Sequence, residues 1–226
     1  MFGKLLRLFF PDVCLVCGRE LLAEETGACL QCLHKLPRTG NFRDPENRAE
    51  QLMAGRMPFE RIATFCVYSK GGTLQPLIHA LKYRHRQDVG MMLGRLFGQD
   101  LAGSAFIRSI DLIVPVPLHP KRERSRGYNQ AEVIARGLSQ ATSLPLSTGN
   151  LIRVLYNPTQ TRRTRTQRWE NVKDIFDVTD PEAFTGRHLL LVDDVITTGS
   201  TLEACGVALQ KCNRVALSIA TLGGVF

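Results

Sequence analysis

Long apolar runs are missing from this sequence of 226 residues. No stretch approaches the roughly 18 uninterrupted apolar residues that identify a membrane-spanning helix. The apolar start, MFGKLLRLFFP, is interrupted by Lys4 and Arg7, and no small-residue cleavage site follows it, so it does not have the pattern of a secretory signal peptide. We therefore expect a cytoplasmic protein that does not insert into membranes.

Several motifs that identify common enzyme classes are also absent. The chain contains neither the G-x-G-x-x-G fingerprint of dinucleotide-binding folds nor the G-x-x-x-x-G-K-[ST] motif of P-loop nucleotidases. It also lacks the H-E-x-x-H motif of zinc proteases and the G-x-S-x-G motif of serine hydrolases. These four classes therefore find no support in the sequence.

The chain contains seven cysteines. This odd number disfavours a disulfide framework and fits a reducing compartment. Four of the seven, Cys14, Cys17, Cys29 and Cys32, form the pattern C-x2-C-x11-C-x2-C. Four thiolates at this spacing are typical of a closed, tetrahedral structural Zn²⁺ site. Unliganded thiol turns are the alternative interpretation. His34 is not needed as a ligand because four cysteines complete the coordination shell.

A zinc-binding module followed by a polar connector, residues 37–58, is therefore predicted for residues 1–60. A unit this small has little hydrophobic core, so the metal would hold its loops together. Residues 61–226 alternate apolar runs with segments of helical periodicity, which is typical of a parallel α/β sheet. We predict strands at 61–68, 111–116, 151–154, 175–178, 189–192 and 215–222, and helices at 73–85, 88–102, 129–141 and 200–211.

Positive charge is concentrated in one segment. The chain carries a net charge of +8, and residues 121–173 hold 11 Lys/Arg against 3 Asp/Glu, which equals the whole excess. A polyanionic ligand such as pyrophosphate, a nucleotide or nucleic acid is one explanation, and a solvated basic surface is the other. Within this segment, residues 156–173 are polar and rich in arginine, as expected of either a functional lid or a disordered loop.

Residues 189–201, with the sequence LLLVDDVITTGST, combine an apolar strand, two acids and a loop of small polar residues. Asp193 and Asp194 follow the strand directly, and the hydroxyl residues and glycine come just before a helix. The start of such a helix offers free N–H groups and the positive end of the helix dipole to an anion. The acids would repel a phosphate and suit hydroxyl groups or a metal. An anion site beside a hydroxyl site indicates a sugar phosphate as the ligand.

A second anion site is predicted where the strand at 111–116 ends. The chain continues there as a basic, proline-containing loop through Gly127 into the helix at 129–141. The carboxyl ends of parallel strands share one edge of the sheet, and ligands bind at that edge. We therefore expect this loop and the 189–201 stretch to converge on one crevice.

The 189–201 stretch resembles the phosphoribosyl-pyrophosphate-binding motif of type I phosphoribosyltransferases. The order of the parts adds to this resemblance, since the paired cysteines come first, then VPVPLHPKRERSRGYNQAE, then PTQTRRTRTQRWENV, and then the acidic stretch. In this order the chain is similar, from Cys14 to its C-terminus, to the ComF family, which includes competence protein F and the GntX-type proteins. The resemblance implies a type I phosphoribosyltransferase fold after the cysteine module.

The resemblance also implies roles for individual residues. Asp193 and Asp194 would be the acids of the catalytic site and would bind the ribose 2- and 3-hydroxyls. Mg²⁺ would bridge the ribose and the pyrophosphate, and residues 156–173 would form a hood over the site. The 5-phosphate would be bound by Thr197, Thr198, Gly199, Ser200 and Thr201, and the pyrophosphate by Lys82, Arg122, Arg126 and Gly127.

Three functions remain open from the sequence. The first is a phosphoribosyltransferase that binds phosphoribosyl pyrophosphate and has an unidentified acceptor. The second is a competence factor that binds single-stranded DNA without turnover and acts with other competence proteins. In that case the basic segment and its aromatics Tyr128, Tyr156 and Trp169 would contact the DNA, although ordinary packing explains each aromatic taken singly. The third is a zinc-stabilised scaffold that only docks other proteins.

Overall fold

A computed structural model describes residues 12–154 and 175–226 of the chain, so the predicted hood at 156–173 lies outside the described residues. No described helix has the length and apolar character needed to span a membrane. In chain order the strands are β1 (Ile62–Val67), β2 (Leu112–Pro115), β3 (Leu151–Arg153), β4 (Phe176–Val178), β5 (His188–Ile196) and β6 (Ala216–Gly224). The α-helices are α1 (Leu30–His34), α2 (Arg48–Met53), α3 (Leu74–Tyr83), α4 (Gln87–Leu101), α5 (Ala105–Arg108), α6 (Pro120–Arg126), α7 (Gln130–Thr142) and α8 (Ser200–Leu209).

Four parallel strands form the central sheet in the order β1-β6-β5-β2. Strand β5 pairs with β2 on one side, where Leu189 lies opposite Leu112, and with β6 on the other, where Leu189 lies opposite Leu217. The connections between these strands contain helices, as crossovers in a parallel sheet usually do. The predicted parallel α/β sheet is therefore confirmed, and the carboxyl ends of its four strands lie at one edge.

The apolar run of β5 is buried on both faces of the sheet. Leu190 and Val192 belong to the core that includes α3, α4 and α7, whereas Leu189 and Leu191 belong to the core that includes α2 and α8. Helices on both faces explain why the run is continuous and does not alternate with polar residues. The strand that carries the two acids is thus packed from both sides.

The strand predicted at 151–154 does not join the central sheet. Residues 151–153 form β3, which pairs antiparallel with β4 in a separate two-stranded ribbon. The outer edge of β2 is occupied by other residues, since the Ile113 N–H donates to the Pro145 carbonyl and the Ser147 N–H donates to the Ile113 carbonyl, both at 2.9 Å. The prediction that this strand belongs to the parallel sheet was therefore wrong.

The basic segment after β2, which was predicted as a loop, contains the short helix α6. The His119 side chain accepts a hydrogen bond from the Lys121 N–H at 3.1 Å, and Pro120 occupies the first turn. Gly127 follows the last helical residue with a left-handed φ of +81°. A side-chain acceptor and a proline at the start and a glycine just past the end all mark helix boundaries, and the prediction of a loop overlooked them.

The N-terminal residues pack against the rest of the chain. Cys14 and Cys29 are buried in the same hydrophobic core as Val89 of α4. The connector contains α2, whose N-cap residue Asn47 also donates a hydrogen bond to the Ile62 carbonyl at 2.9 Å. The division of the chain into domains at residue 60 stays a prediction, and these contacts join the residues on its two sides.

Candidate functional site

The two acids lie within β5, near its carboxyl end. The strand was predicted to end at Val192, but its pairing with β6 continues, with Asp193 opposite Thr221 and Val195 opposite Gly223. Both acids are partly buried at the edge of the sheet. Because successive side chains leave a strand on opposite faces, Asp193 and Asp194 have different neighbours.

Asp194 is paired with a lysine from a distant helix. The Nζ atom of Lys82, in the last turn of α3, lies 2.8 Å from Asp194 Oδ1. The pair is shielded from solvent, since only 24% of the Lys82 side chain and 15% of the Asp194 side chain are exposed. Salt therefore screens this pair less than it screens a surface ion pair. Lys82, predicted at the pyrophosphate, thus lies at the same edge of the sheet as the acids.

Asp193 has no ion-pair partner among the described residues. Its Oδ1 accepts a hydrogen bond from the Asp194 N–H at 2.8 Å. Burial and, after it, the negative charge of Asp194 raise the pKa of Asp193 to about 7, although the Asp194 N–H, Lys82 and Arg153 act in the opposite direction. A ligand hydroxyl or a divalent cation beside this carboxyl would stabilise its charged form.

The loop after β5 has the features of an anion-binding site. Helix α8 begins at Ser200 and no side chain caps it, so the N–H groups of its first turn are not satisfied within the helix. Gly199 is buried with a left-handed φ of +74°, whereas Thr198 and Ser200 are exposed and their hydroxyl oxygens lie 3.1 Å apart. Thr197 and Thr201 are exposed as well. These N–H groups, hydroxyls and helix dipole together can bind a phosphate.

The basic residues predicted at the pyrophosphate lie on and just after α6. The Arg126 guanidinium lies over the ring of Tyr83, 5.4 Å from the ring centre. Tyr83 directly follows Lys82, the lysine that pairs with Asp194, in the chain. Arg122 is exposed one turn earlier on the same helix, and Gly127 ends the helix. Neither guanidinium hydrogen-bonds to the acids within the described residues.

Sequence reasoning missed Arg153, at the end of β3. Its Nε is buried without a hydrogen-bond partner in the part of the chain that the structure describes, and its guanidinium lies over the Phe176 ring at 5.3 Å. Burial and the charge of Arg122 lower the pKa of Arg153, whereas the charge of Asp193 raises it. An anionic ligand beside the guanidinium would supply the missing acceptor. The sequence signal that could have identified Arg153 was the presence of an arginine in an otherwise apolar strand.

The four predicted metal-binding cysteines form one cluster. The Sγ atoms of Cys14, Cys17, Cys29 and Cys32 all lie within 4.8 Å of one another, and those of Cys17 and Cys29 are 3.9 Å apart. Sulfurs about 2.3 Å from a tetrahedral Zn²⁺ are about 3.8 Å apart, so this spacing fits the ion. Although burial raises it, hydrogen bonds from the backbone of Cys29, Cys17 and Val16 lower the pKa of Cys14 to about 6. The lowered pKa favours at Cys14 the thiolate that a metal requires, whereas burial and hydrogen bonds with the other cysteines raise the pKa of Cys32 to about 12.

Comparison with known proteins identifies the family. Residues 103–222 match the phosphoribosyl transferase domain family. Over 210 residues the chain is 30% identical to the DNA utilization protein YhgH of Escherichia coli (strain K12), a match that covers 92% of this chain and 88% of that protein. Over 142 residues it is 33% identical to competence protein F of Haemophilus influenzae, which covers 61% of this chain and 62% of that protein.

One solved structure that overlaps the chain is a glutamine phosphoribosylpyrophosphate amidotransferase from B. subtilis complexed with ADP and GMP. The overlap covers 62% of this chain and 30% of that one, with 21% identity and a TM-score of 0.42. The domain match and the identity to YhgH are the stronger findings, since the domain spans more than half of the chain. The chain therefore belongs to the phosphoribosyl transferase domain family, in the group that includes DNA utilization protein YhgH and competence protein F.

Proposed function

We propose that the protein binds phosphoribosyl pyrophosphate at the carboxyl edge of the central sheet. The observation that carries the proposal is the position of Asp193 and Asp194 next to the uncapped start of α8. A phosphorylated ribose needs both features, because its hydroxyls require acceptors and its phosphate requires donors. Membership in the phosphoribosyl transferase domain family supports the same class of ligand.

Each part of the ligand corresponds to one part of this edge. In the proposal Asp193 and Asp194 accept hydrogen bonds from the ribose hydroxyls, and residues 197–201 bind the 5-phosphate. The guanidinium of Arg153 adds a planar fork of donors, which matches the oxygens of a phosphate group. The other residues proposed for the pyrophosphate are Lys82, Arg122, Arg126 and Gly127.

Mg²⁺ fits the same place. The carboxylates of Asp193 and Asp194 offer oxygen ligands, and the phosphates of the substrate offer more, which is the coordination that Mg²⁺ prefers. The cation would supply positive charge next to the pyrophosphate. In the free protein Lys82 neutralises Asp194, so only part of the negative charge of the pair needs compensation.

Binding of this ligand would serve phosphoribosyl transfer. In that reaction the bond between the anomeric carbon and the pyrophosphate breaks, the pyrophosphate leaves with the electron pair while the ribose ring gains positive charge, and a nucleophilic acceptor forms the new bond to the anomeric carbon. The arginines at the edge would stabilise the charge on the departing pyrophosphate. The proposal concerns binding, and the described residues do not identify an acceptor.

Thermal unfolding with phosphoribosyl pyrophosphate and Mg²⁺ tests the proposal. A ligand that binds only the folded protein stabilises it by about 2.7 kcal/mol at 100 times its Kd, so the Tm of the wild type should rise. Asp193→Ala should abolish this rise. Asp177→Ala is the matched control, because Asp177 is exposed on β4 and lies near Lys211, beyond the far end of α8. Absence of any rise for the wild type at millimolar ligand would refute the binding site.

A second proposed function is binding of single-stranded DNA. One relative is named DNA utilization protein YhgH, and this name concerns DNA. Helix α6 has no buried residue, and four of its seven residues are Lys or Arg. This helix begins the basic segment 121–173, which could follow a phosphate backbone. The exposed positive charge favours DNA as a ligand of the basic segment, where Arg122, Arg126 and Gly127 are also proposed for the pyrophosphate.

We also propose that the cysteine cluster binds a structural Zn²⁺ ion. Its four sulfurs would complete a tetrahedral shell and leave no position open for a substrate. The metal would therefore stabilise the fold and take no part in the chemistry at the sheet edge.

A further inference from the structure

Arg56 lies in the connector, just after α2, and reaches the loop that follows β5. Its Nη1 donates to the Thr198 carbonyl, and its Nη2 lies 3.4 Å from Ser200 Oγ. Its Nε and Nη2 also donate to Glu203 Oε2, at 3.0 and 2.5 Å. One guanidinium thus joins the loop to the first turn of α8.

These contacts determine the direction of one peptide group in the loop. In a planar trans peptide the C=O and the N–H point in opposite directions. Because Arg56 binds the Thr198 carbonyl, the Gly199 N–H of the same peptide is directed away from Arg56. The guanidinium therefore contacts one side of the loop, and the Gly199 N–H points towards the opposite side.

Met53 of α2 packs against the same loop. A Cβ at Gly199 would overlap the Met53 Sδ, and Met53 is fully buried. The residues on either side of the glycine, Thr198 and Ser200, remain exposed. The connector thus contacts the backbone of the loop and leaves its hydroxyl residues accessible to a ligand.

We propose that Arg56 is a positioning residue for the 5-phosphate subsite. It holds residues 198–200 in the conformation that presents the Gly199 N–H to the phosphate, and it does so from the connector, outside the predicted phosphoribosyltransferase-like unit 61–226. This role rests on the proposed binding of phosphoribosyl pyrophosphate. A lysine cannot fully replace Arg56, because one ammonium group lacks the planar fork that binds the carbonyl and Glu203 together.

Titration calorimetry with three probes tests this role. For Arg56→Ala, the Kd of ribose 5-phosphate and of phosphoribosyl pyrophosphate with Mg²⁺ should rise roughly tenfold or more, as expected when a charge-assisted hydrogen bond is lost. The Kd of inorganic pyrophosphate should stay unchanged, because other residues form that subsite. Arg56→Lys should recover only part of the affinity. Arg61→Ala is the matched control, since the Arg61 Nε pairs with Glu50 of α2 at 2.9 Å.

Amide hydrogen exchange of the free protein tests the same role without a ligand. Residues 203–205 donate the first hydrogen bonds of α8, beginning with the Glu203 N–H to the Gly199 carbonyl at 2.9 Å. Their exchange should be several-fold faster in Arg56→Ala, while exchange elsewhere stays unchanged.

Three results would overturn the positioning role. They are unchanged exchange at residues 203–205, a rise in exchange spread over the whole chain, and an equal loss of affinity for all three probes. If the wild type binds neither ribose 5-phosphate nor phosphoribosyl pyrophosphate, the proposed function fails. The exchange measurement still decides in that case whether Arg56 holds the loop.

Discussion

Asp193 and Asp194 are neighbours in the chain with the same side chain and very different electrostatic surroundings. Asp194 binds Lys82 at 2.8 Å, whereas Asp193 is affected by burial and by the charge of Asp194, which raise its pKa. The strand geometry explains the difference, because it sends consecutive side chains to opposite faces. A pair of this kind combines one carboxylate held in an ion pair with one whose pKa lies close to neutral pH.

Replacing Asp193 with asparagine should therefore stabilise the free protein at neutral and higher pH. The pKa of Asp193 is about 7 in the folded protein, and it is about 4 in the unfolded chain. Between these values the folded protein holds a proton that the unfolded chain has lost, so wild-type stability falls as the pH rises from about 4 through about 7. Asparagine has no such proton, and Asp193→Asn should exceed the wild type by more than about 1 kcal/mol at about pH 8.

Urea denaturation without Mg²⁺, at about pH 5 and about pH 8, measures this difference in the free energy of unfolding. The gain from Asp193→Asn should be larger at the higher pH. Asp177→Asn is the control, because that side chain is exposed on β4. A gain that is the same at both pH values would show that burial and Asp194 do not raise the pKa of Asp193.

The basic segment 121–173 carries a surplus of positive charge, with 11 Lys/Arg against 3 Asp/Glu. Helix α6 exposes Lys121, Arg122 and Arg124, whereas Arg126 is partly buried over the Tyr83 ring, and residues 156–173, outside the described residues, continue the positive charge along the chain. Charge on an exposed helix contributes little to stability, since solvent screens it. The positive charge of the segment serves either to bind a ligand or to keep the protein soluble. A binding experiment can distinguish these two explanations.

Replacing three arginines, Arg162, Arg163 and Arg165, with alanine should weaken the binding of single-stranded DNA. Each phosphate contact adds about 0.7 to the slope of log affinity against log salt, so loss of three contacts should lower that slope by about 2. Fluorescence anisotropy of a labelled oligonucleotide over a salt series measures both the affinity and the slope.

A second triple variant separates a local effect from the change in net charge. Alanine at Arg43, Arg187 and Lys211 removes the same charge from exposed positions outside the basic segment, and binding should stay close to that of the wild type. If the variant of the basic segment binds DNA as tightly as the wild type, the segment is not a DNA-binding surface.

The cysteine module and the α/β unit share one hydrophobic core. Cys14, Cys29 and Cys32 are buried in the cluster that also contains residues of α4 and α7. Loops that depend on a metal for their conformation would lose these contacts when the metal is removed. The effect of metal loss should therefore extend beyond the module.

Cys29→Ser should lose bound Zn²⁺ and lower the Tm by at least about 5 °C, because a structural metal contributes several kcal/mol to folding. Elemental analysis of the wild type should find a single Zn²⁺ ion for each chain. Cys212→Ser is the control, since Cys212 is a buried free thiol outside the cluster, and it should retain the metal. A native wild-type protein that contains no metal would refute the zinc site.

Much of this fold could be predicted because its signals are local. The continuous apolar run at 189–192 predicted a strand buried on both faces, and helical periodicity predicted α3, α4, α7 and α8 to within a few residues. The sheet of β3 and the helix α6 were both predicted wrongly, because the sequence signal at each of them was short. A strand of three residues such as β3 does not specify its partner, and the seven residues of α6 carry no apolar stripe.

The order of residues along the chain is enough to place two acids, several hydroxyls and a helix start within 189–201, and to space four cysteines for one ion. The folded chain alone brings Lys82 to Asp194 across 112 residues and Arg56 to Thr198 across 142 residues. Periodicity and turn signals act over a few residues, so they predict single elements. Charged side chains more than a hundred residues apart meet only after the sheet has ordered its strands and the helices have packed on it.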